Sequence, residues 1–156
     1  MDILKGFRFF QVFLVVSVCL VSITTFPSNG YSDNWVYVGI NDNFSVYYNK
    51  SSVKIDKDKK TIEVWEKRIY TDKGRKILLK DIDINKEKYA DINYTLILYL
   101  LDYKNWLNCI TQITYYSKSG NILFDQKYPR DWYNIIPDST GDTLFSQILN
   151  DNNIQR

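Results

Sequence analysis

Residues 94–101 read YTLILYLL, the most apolar stretch of the chain beyond its first 30 residues. Leucines fill positions 96, 98 and 100, and Ile97, Tyr99 and Leu101 fill the alternate positions. Successive side chains of a strand point to opposite faces, so both faces of a strand here would be apolar. The pattern predicts a central strand. A helix also fits a short apolar run of this kind, and periodicity does not separate the two.

Runs of β-branched and aromatic residues lie on both sides of this segment, separated by turns rich in Asn, Asp, Gly and Ser. They predict strands over residues 35–40, 44–49, 61–70, 107–116 and 121–126, and a further short strand at 75–80 after a turn at 72–74. Residues 86–90 favour one helical turn. The chain therefore reads as an antiparallel, meander-like sheet of about six strands.

The predicted core is aromatic as well as aliphatic. The strand over 61–70 carries apolar side chains on both of its faces, so we expect cover on each side of the sheet. Among the aromatic residues, Trp35, Trp65 and Tyr99 are those expected to fill the core.

The end of the chain has the features of a helix. Ser139 and Asp142 are spaced as a capping box, in which the hydroxyl accepts a bond from the first turn and the carboxylate reaches back. An apolar stripe at i, i+4 spacing follows, formed by Leu144, Phe145, Ile148 and Leu149. An amphipathic C-terminal helix packed on an antiparallel sheet makes the predicted fold class α+β.

The first 30 residues have the layout of a secretory signal peptide. A basic start with Lys5 and Arg8 leads into an apolar stretch over 9–21, and the turn-forming residues 27–30 suit a cut before Tyr31. This order predicts an exported protein that is secreted, periplasmic or displayed at the cell surface.

Residues 31–156 are then expected to form a single domain, because about 100 to 150 residues is the commonest domain size. Two alternatives to cleavage stay open. The apolar region over 9–26 is long enough for an uncleaved membrane anchor, which would be the only contact with a membrane. Cys19 could instead carry a lipid, although Val18 stands where a small residue is needed.

The charge balance excludes nucleic acid as an expected partner. Loss of residues 1–30 removes Asp2, Lys5 and Arg8, so 20 basic and 18 acidic residues become 18 and 17. A net charge of about +1 gives no electrostatic reason to bind a polyanion. The densest basic run, at residues 57–60, is expected to be a solvated hairpin turn.

No catalytic or metal-binding constellation is present in the sequence. Histidine is absent, so the commonest general base and neutral metal ligand are missing. Glu63 and Glu66 fall on opposite faces of their predicted strand, and only a cleft with two facing acids would favour a glycosidase. Residues 81–92 lack the glycine and glutamate of a calcium loop. We predict a protein that is not an enzyme and has no cofactor or metal.

Cys109 is the one cysteine of residues 31–156, so no disulfide can form within them. It lies in a predicted strand and is expected to be a small buried hydrophobe. The candidates for ligand binding are Trp132 and Tyr133, because they follow Pro129-Arg130-Asp131 in a predicted loop and aromatic rings make good contact surface. Packing of this pair over the C-terminal helix is the alternative.

Several motifs together resemble the bacterial surface-adhesin protein E family. In the C-terminal half they are YTLILY at 94–99, YYSKSGNIL at 115–123, and Trp132 leading to IPDSTGDTLF at 136–145. In the N-terminal half they are WV at 35–36, YYN at 47–49 leading to SV at 52–53, and IEVW at 62–65. The likeness spans nearly all of residues 35–149, and its most specific part is the ending.

The resemblance implies an exported domain with an antiparallel sheet and a C-terminal helix. It also implies binding to host extracellular-matrix or serum proteins and a homodimer. Family members commonly have cysteines where this chain has Tyr103 and Leu149, so the disulfide implied by the family is absent here. A bridge of that span contributes roughly 3 to 4 kcal/mol, and its loss indicates a compensating core or a reducing setting.

The sequence therefore leads to two hypotheses of different kinds. The first is an exported, non-catalytic binding domain of the adhesin type. The alternative is a structural or interaction component of the bacterial envelope, anchored by residues 1–30 and with no adhesive role.

Overall fold

The structure is a computed structural model that describes residues 34–81 and 86–155, with residues 81, 86 and 88 described by their backbone alone. The signal peptide or anchor predicted over residues 1–30 lies outside the described residues, as does the start of the predicted domain at residue 31. No helix within the described ranges is both long and apolar enough to cross a lipid bilayer.

The described chain contains strands β1 (Trp35–Ile40), β2 (Phe44–Asn49), β3 (Lys54–Asp56), β4 (Thr61–Tyr70), β5 (Ile92–Asp102), β6 (Leu107–Ser117), β7 (Ile122–Lys127) and β8 (Tyr133–Asn134). Its helices are α1 (Asp72–Asp81), α2 (Lys86–Tyr89) and α3 (Thr140–Asp151), and a 3-10 turn spans Lys50–Ser52. The helical turn predicted over 86–90 is confirmed as α2. Two short strands, β3 and β8, were not predicted.

All strands belong to one antiparallel sheet in the order β1-β2-β4-β5-β6-β7, with β3 paired to β4 and β8 paired to β6. The segment over 94–101 lies in β5, between the long strands β4 and β6, so the central strand is confirmed and the helix alternative is wrong. The predicted α+β class, an antiparallel sheet with a C-terminal helix, is confirmed.

The inner face of the sheet, defined as the face on which α3 packs, carries the main core. The strands contribute Val46, Tyr48, Ile62, Val64, Ile97, Tyr99 and Leu101, and α3 contributes Leu144, Phe145, Ile148 and Leu149. The rings of Tyr99 and Phe145 meet edge to face with centroids 5.4 Å apart. The apolar stripe predicted for the helix is therefore the surface that it buries.

The prediction that Trp35, Trp65 and Tyr99 fill the core is only partly right. Tyr99 lies in the core as predicted, but Trp35 and Trp65 are half-buried and lie outside the core cluster. Trp65 lies outside the core because its side chain is on the face of the sheet opposite α3, where it pairs with Leu98. Trp106, from the turn between β5 and β6, reaches the core instead and is 8% exposed.

The strand predicted at residues 75–80 is wrong, because this segment is the helix α1. Strand β4 is already paired with β2 on one side and β5 on the other, so a following strand would have no free edge beside it. The helix starts where Thr71 accepts the backbone N–H of Gly74 at 3.1 Å. A Cβ atom at Gly74 would lie 1.9 Å from the carbonyl oxygen of Asn43, so only glycine fits there.

The capping box of α3 is confirmed in its first half and altered in its second. The Ser139 hydroxyl accepts the backbone N–H of Asp142 at 3.2 Å. The Asp142 carboxylate reaches back to the N–H of Asp138 at 3.2 Å and also accepts the indole N–H of Trp106 at 3.0 Å. At the other end of the helix, the buried Tyr48 hydroxyl donates to the carboxylate of Asp151. Both ends of α3 are thus tied to the sheet.

The positions of the family cysteines are filled by core residues. Tyr103 is 6% exposed and Leu149 is 5% exposed, and both belong to the core cluster. Cys109 is a free thiol with no exposed surface, as expected of a small buried hydrophobe. Burial raises the pKa of its thiol, which keeps it protonated and unreactive.

Candidate binding surface

The outer face of the sheet, opposite α3, presents a broad row of apolar and aromatic side chains. Strand register places them side by side, since cross-strand partners share a face. Pairs such as Tyr37 with Tyr47 and Trp65 with Leu98 define the row. Its members are Trp35, Tyr37, Tyr47, Trp65, Lys67, Ile69, Tyr94, Leu96, Leu98, Leu100 and Tyr116. Tyr37 is exposed and the others are half-buried.

Contacts between its own rings hold one end of the outer face in place. The rings of Tyr94 and Tyr116 stack with centroids 4.6 Å apart and planes only 7° apart. The Lys67 ammonium lies 5.1 Å from the centroid of the Trp35 ring and 4.8 Å from that of Tyr94. A cation between two rings fixes both of them, so this surface is ordered before any partner arrives.

The two predicted ligand-binding residues lie next to each other at the edge of the sheet. Trp132 ends the segment that follows β7 and is 40% exposed, and Tyr133 opens β8 and is 62% exposed. This segment runs alongside β6, because Tyr128 donates its backbone N–H to the carbonyl oxygen of Thr111 at 2.9 Å and Tyr133 pairs with Asn108. Tyr133 was predicted in a loop and lies in a short strand instead. Successive residues of an extended chain point apart.

Trp132 lines a cleft of about 450 Å³ on the outer face, which we call the outer cleft. One wall is the segment with Arg130 and Trp132, and the opposite wall and floor come from β3, the following turn, β4 and β5. The other lining residues are Lys54, Ile55, Asp56, Lys59, Thr61, Glu63 and Leu100. The predicted solvated turn at residues 57–60 is confirmed as exposed and forms part of this rim.

The charged groups of the outer cleft are mostly paired with each other. Lys54 bonds Glu63 at 2.7 Å, and Lys59 bonds Asp56 at 2.8 Å. The hydrogen bond and charge of Lys59 hold the pKa of the Asp56 carboxyl below its usual value, so it is ionised at neutral pH. Arg130 is exposed, and it makes no ion pair with any residue that the structure describes. Sequence reasoning missed Arg130, because nothing in its sequence position showed that β3 and β4 lie opposite.

Tyr133 lines a second cleft, which we call the edge cleft, of about 270 Å³. It is formed with Ile110, Ile113, Tyr128, Pro129 and Asp131. The structure therefore brings Trp132 and Tyr133 to one segment but not to one pocket. Neither residue belongs to the core cluster, and both are exposed.

A polar network lies buried in the inner face, and only part of it could be expected from the sequence. Glu66 is 1% exposed and accepts a bond from Arg68 Nε, while Arg68 Nη2 donates to the Tyr99 hydroxyl at 3.0 Å. Burial alone would lower the pKa of Arg68, but the charge of Glu66 raises it overall. Burial also raises the pKa of Tyr99, so the phenol stays neutral. Glu66 and Arg68 therefore form an ion pair and not a catalytic acid-base pair.

The two acids of β4 do not face one another, as predicted. Glu63 bonds Lys54 on the outer face, and Glu66 bonds Arg68 on the inner face. Within the described ranges, no three Cys, Asp or Glu side chains lie close enough together to hold a metal ion.

Comparison with known proteins supports the resemblance seen in the sequence. A family model described as surface-adhesin protein E matches residues 35–148. No curated protein sequence matches the chain. The structure of Haemophilus influenzae protein E is similar with a TM-score of 0.50 and 11% identity, covering 76% of this chain and 85% of that one. For its selenomethionine form the TM-score is 0.46, the identity 12%, and the coverage 74% and 91%. The first likeness shows a shared fold.

Proposed function

Because the chain belongs to the surface-adhesin protein E family, we propose that it is an exported, non-catalytic binding domain that attaches to host extracellular-matrix or serum proteins. The binding surface of this proposal is the outer face of the sheet together with Trp132 and Tyr133. The family points to an adhesin-like surface protein, and the particular partners belong to the proposal.

The observation that carries this proposal is the composition of the outer face. Half-buried leucines and aromatic rings stand on strands β4, β5 and β6, where backbone pairing on both sides keeps them rigid. Rigid aromatic surface loses little conformational entropy on binding, and Trp and Tyr are the residues that most often dominate protein interfaces. A non-catalytic role is supported by the separation of Glu63 from Glu66 and by the neutral, buried state of Tyr99.

Export is supported by the sequence of residues 1–30, and the domain that follows is proposed to be residues 31–156. Intact bacterial cells treated with protease test this step directly. Release of peptides from residues 31–156 without cell lysis is expected, with mass spectrometry as the readout. Complete protection of a protein that is present in the lysate would contradict display at the surface.

Binding is tested with the full chain, expressed with residues 1–30 and purified in the form that the host leaves. Wells coated with basement-membrane extract or with serum proteins should retain it. Replacing both Trp132 and Tyr133 by alanine should weaken retention about tenfold or more, as loss of two exposed aromatic contacts does at interfaces. Ile122→Ala is the matched control, since Ile122 is 61% exposed on β7 and lines neither cleft.

The alternative function, an anchored component of the envelope with no adhesive role, is favoured by the apolar region over residues 9–26. It predicts that purified membranes contain the chain with residues 1–30 intact and that coated wells retain none of it. A cleaved chain that binds the wells would exclude it.

A homodimer is the further part of the proposal. Strands β1 and β7 end the sheet of the described chain, and end strands have backbone groups that a second copy can pair with. Light scattering on the purified chain should give twice the mass of one copy, and a single-copy mass at high concentration would contradict it.

A further inference from the structure

We propose that the outer cleft binds an acidic sugar unit, with Trp132 as the surface for the sugar ring and Arg130 as the partner of its carboxylate or sulfate. The inference rests on the proposed function, and it assigns the chemistry that one part of the binding surface recognises.

The shape of the outer cleft fits a sugar ring. Its volume of about 450 Å³ is within the usual range for small-ligand sites. Trp132 forms one wall with 40% of its surface exposed, and Leu100 contributes an apolar part of the floor. A pyranose ring has a face of C–H groups and a rim of hydroxyls, so an indole ring matches the face and polar side chains match the rim.

The opposite wall supplies hydrogen-bond partners for hydroxyl groups. The pairs Lys54–Glu63 and Lys59–Asp56 place two ammonium groups and two carboxylates beside the Thr61 hydroxyl. Each pair is partly exposed, with side-chain exposures of 76% and 38% in the first and 79% and 38% in the second. Their charges largely cancel, while the two carboxylates, the Lys59 ammonium and the Thr61 hydroxyl are groups that bond sugar hydroxyls.

Arg130 makes the preferred sugar an acidic one. The other four charged groups pair among themselves, so the guanidinium gives the cleft one positive charge without a partner in the described chain. A guanidinium binds a carboxylate or sulfate through two parallel N–H donors. One unpaired cation predicts recognition of a single acidic group, not of a dense polyanion.

An acidic peptide is a less suitable occupant, because the backbone of β4 in the cleft is already paired on both sides. Glu63 faces Lys54 of β3 on one side and Leu100 of β5 on the other, so β4 offers no free edge there. An extended peptide would find no main-chain hydrogen bonds to β4, the kind of bond that usually supplies its affinity.

The test uses the full chain, expressed with residues 1–30, and four immobilised polysaccharides. Hyaluronate presents carboxylates, dextran sulfate presents sulfates, heparin presents both, and dextran presents neither. We expect retention on at least one acidic polysaccharide and none on dextran. Comparison of hyaluronate with dextran sulfate identifies which acidic group the site takes. Affinity should fall only a few-fold from low to physiological salt, since a single exposed charge pair is screened.

Two variants and two controls assign the binding to the outer cleft. Trp132→Ala should weaken it by about 30-fold, the effect of losing a central aromatic contact. Arg130→Gln should weaken it by about tenfold, the effect of losing a charge-assisted bond. Ile136→Ala and Lys118→Gln, both exposed and outside the cleft, should leave the affinity within about twofold. Thermal melting of each variant reports whether it is folded.

The outcomes separate this inference from the proposed function. Equal retention on dextran, or a folded Trp132→Ala variant that binds as tightly as the natural chain, would overturn the acidic-sugar site. If coated matrix keeps binding the chain after enzymatic removal of its acidic glycans, with Trp132 still required, the occupant is a peptide and only the proposed function stands. If intact cells protect the domain from protease while the purified chain binds hyaluronate through Trp132, the sugar site stands without the adhesin role.

Discussion

Lys67 and Arg68 are consecutive cations of β4, yet the two faces of the sheet satisfy them in opposite ways. Arg68 points to the inner face, where Glu66 and the Tyr99 hydroxyl bind its guanidinium. Lys67 points to the outer face, where it lies between the rings of Trp35 and Tyr94. The inner face uses charge to join buried elements, and the outer face uses charge to order an accessible surface.

This difference predicts where substitutions affect stability and where they affect binding. Inner-face side chains contact many neighbours that cannot relax, so their loss leaves a cavity. Outer-face side chains pack against neighbours on one side only, so truncating them removes fewer contacts. If the protein binds through its outer face, substitutions there should change its stability little and lower its affinity for the partner.

The largest effect is expected from Phe145→Ala in α3. Phe145 is 1% exposed and its ring meets that of Tyr99, so truncation removes a packed ring and leaves a void. We expect a loss of about 3 to 5 kcal/mol in the free energy of unfolding, measured by urea denaturation. Leu98→Ala on the outer face is the comparison, with a loss of less than about 2 kcal/mol. Equal losses would show that the two faces are packed alike.

The next effect is expected from Glu66→Gln, which leaves the Arg68 charge without its carboxylate. Removing one partner of a buried ion pair costs about 3 kcal/mol or more, because the remaining charge is desolvated and unpaired. The expected value is at the low end, since 26% of the Arg68 side chain is exposed and reaches water. Glu66→Gln combined with Arg68→Met should recover part of the loss. A double variant that is less stable than the single one would contradict this account.

The sequence predicted the elements whose pattern is local. The capping and stripe residues of α3 lie within a few positions of each other, so no knowledge of the fold was needed. For β5 the sequence left strand and helix open, and its place between β4 and β6 decides for the strand. The helix at residues 72–81 could not be predicted, because what excludes a strand there is the occupation of both edges of β4. Similarly, Trp65 lies outside the core because α3 packs on the other side.

The candidate site was predicted in part for the same reason. Trp132 and Tyr133 were identified from a local signal, two aromatic residues after a turn-forming segment. The outer cleft depends on β3 and β4 lying opposite that segment, a relation between distant parts of the chain. Arg130 therefore acquires its place only in the folded structure, as does the division of the two aromatic residues between two clefts.

A third effect is the loss of stability at alkaline pH. Burial raises the pKa of Tyr115, on the inner face, to about 12, whereas an unfolded tyrosine titrates near 10. A raised folded pKa means that stability is fully present below pH 10 and is lost as the pH rises from about 10 to 12, because the unfolded chain releases its proton first. Urea denaturation at several pH values should show this fall. Tyr115→Phe should reduce the slope of this fall with pH by an amount that corresponds to up to one proton. An unchanged slope would contradict the assignment of the fall to Tyr115.

The smallest effect is expected from Lys67→Met on the outer face. Its ammonium is held by two ring contacts and no ion pair is described for it, so the loss should be about 1 kcal/mol or less. The comparison with Glu66→Gln is informative because the two positions are adjacent in β4 and occupy opposite faces of the sheet. If Lys67→Met destabilises the chain as much as Glu66→Gln does, the outer face is part of the folding core and not an accessible surface. If Lys67→Met leaves stability almost unchanged but lowers retention on coated matrix, the ordering of the Trp35 and Tyr94 rings serves binding, since a loosened surface loses more entropy when a partner arrives.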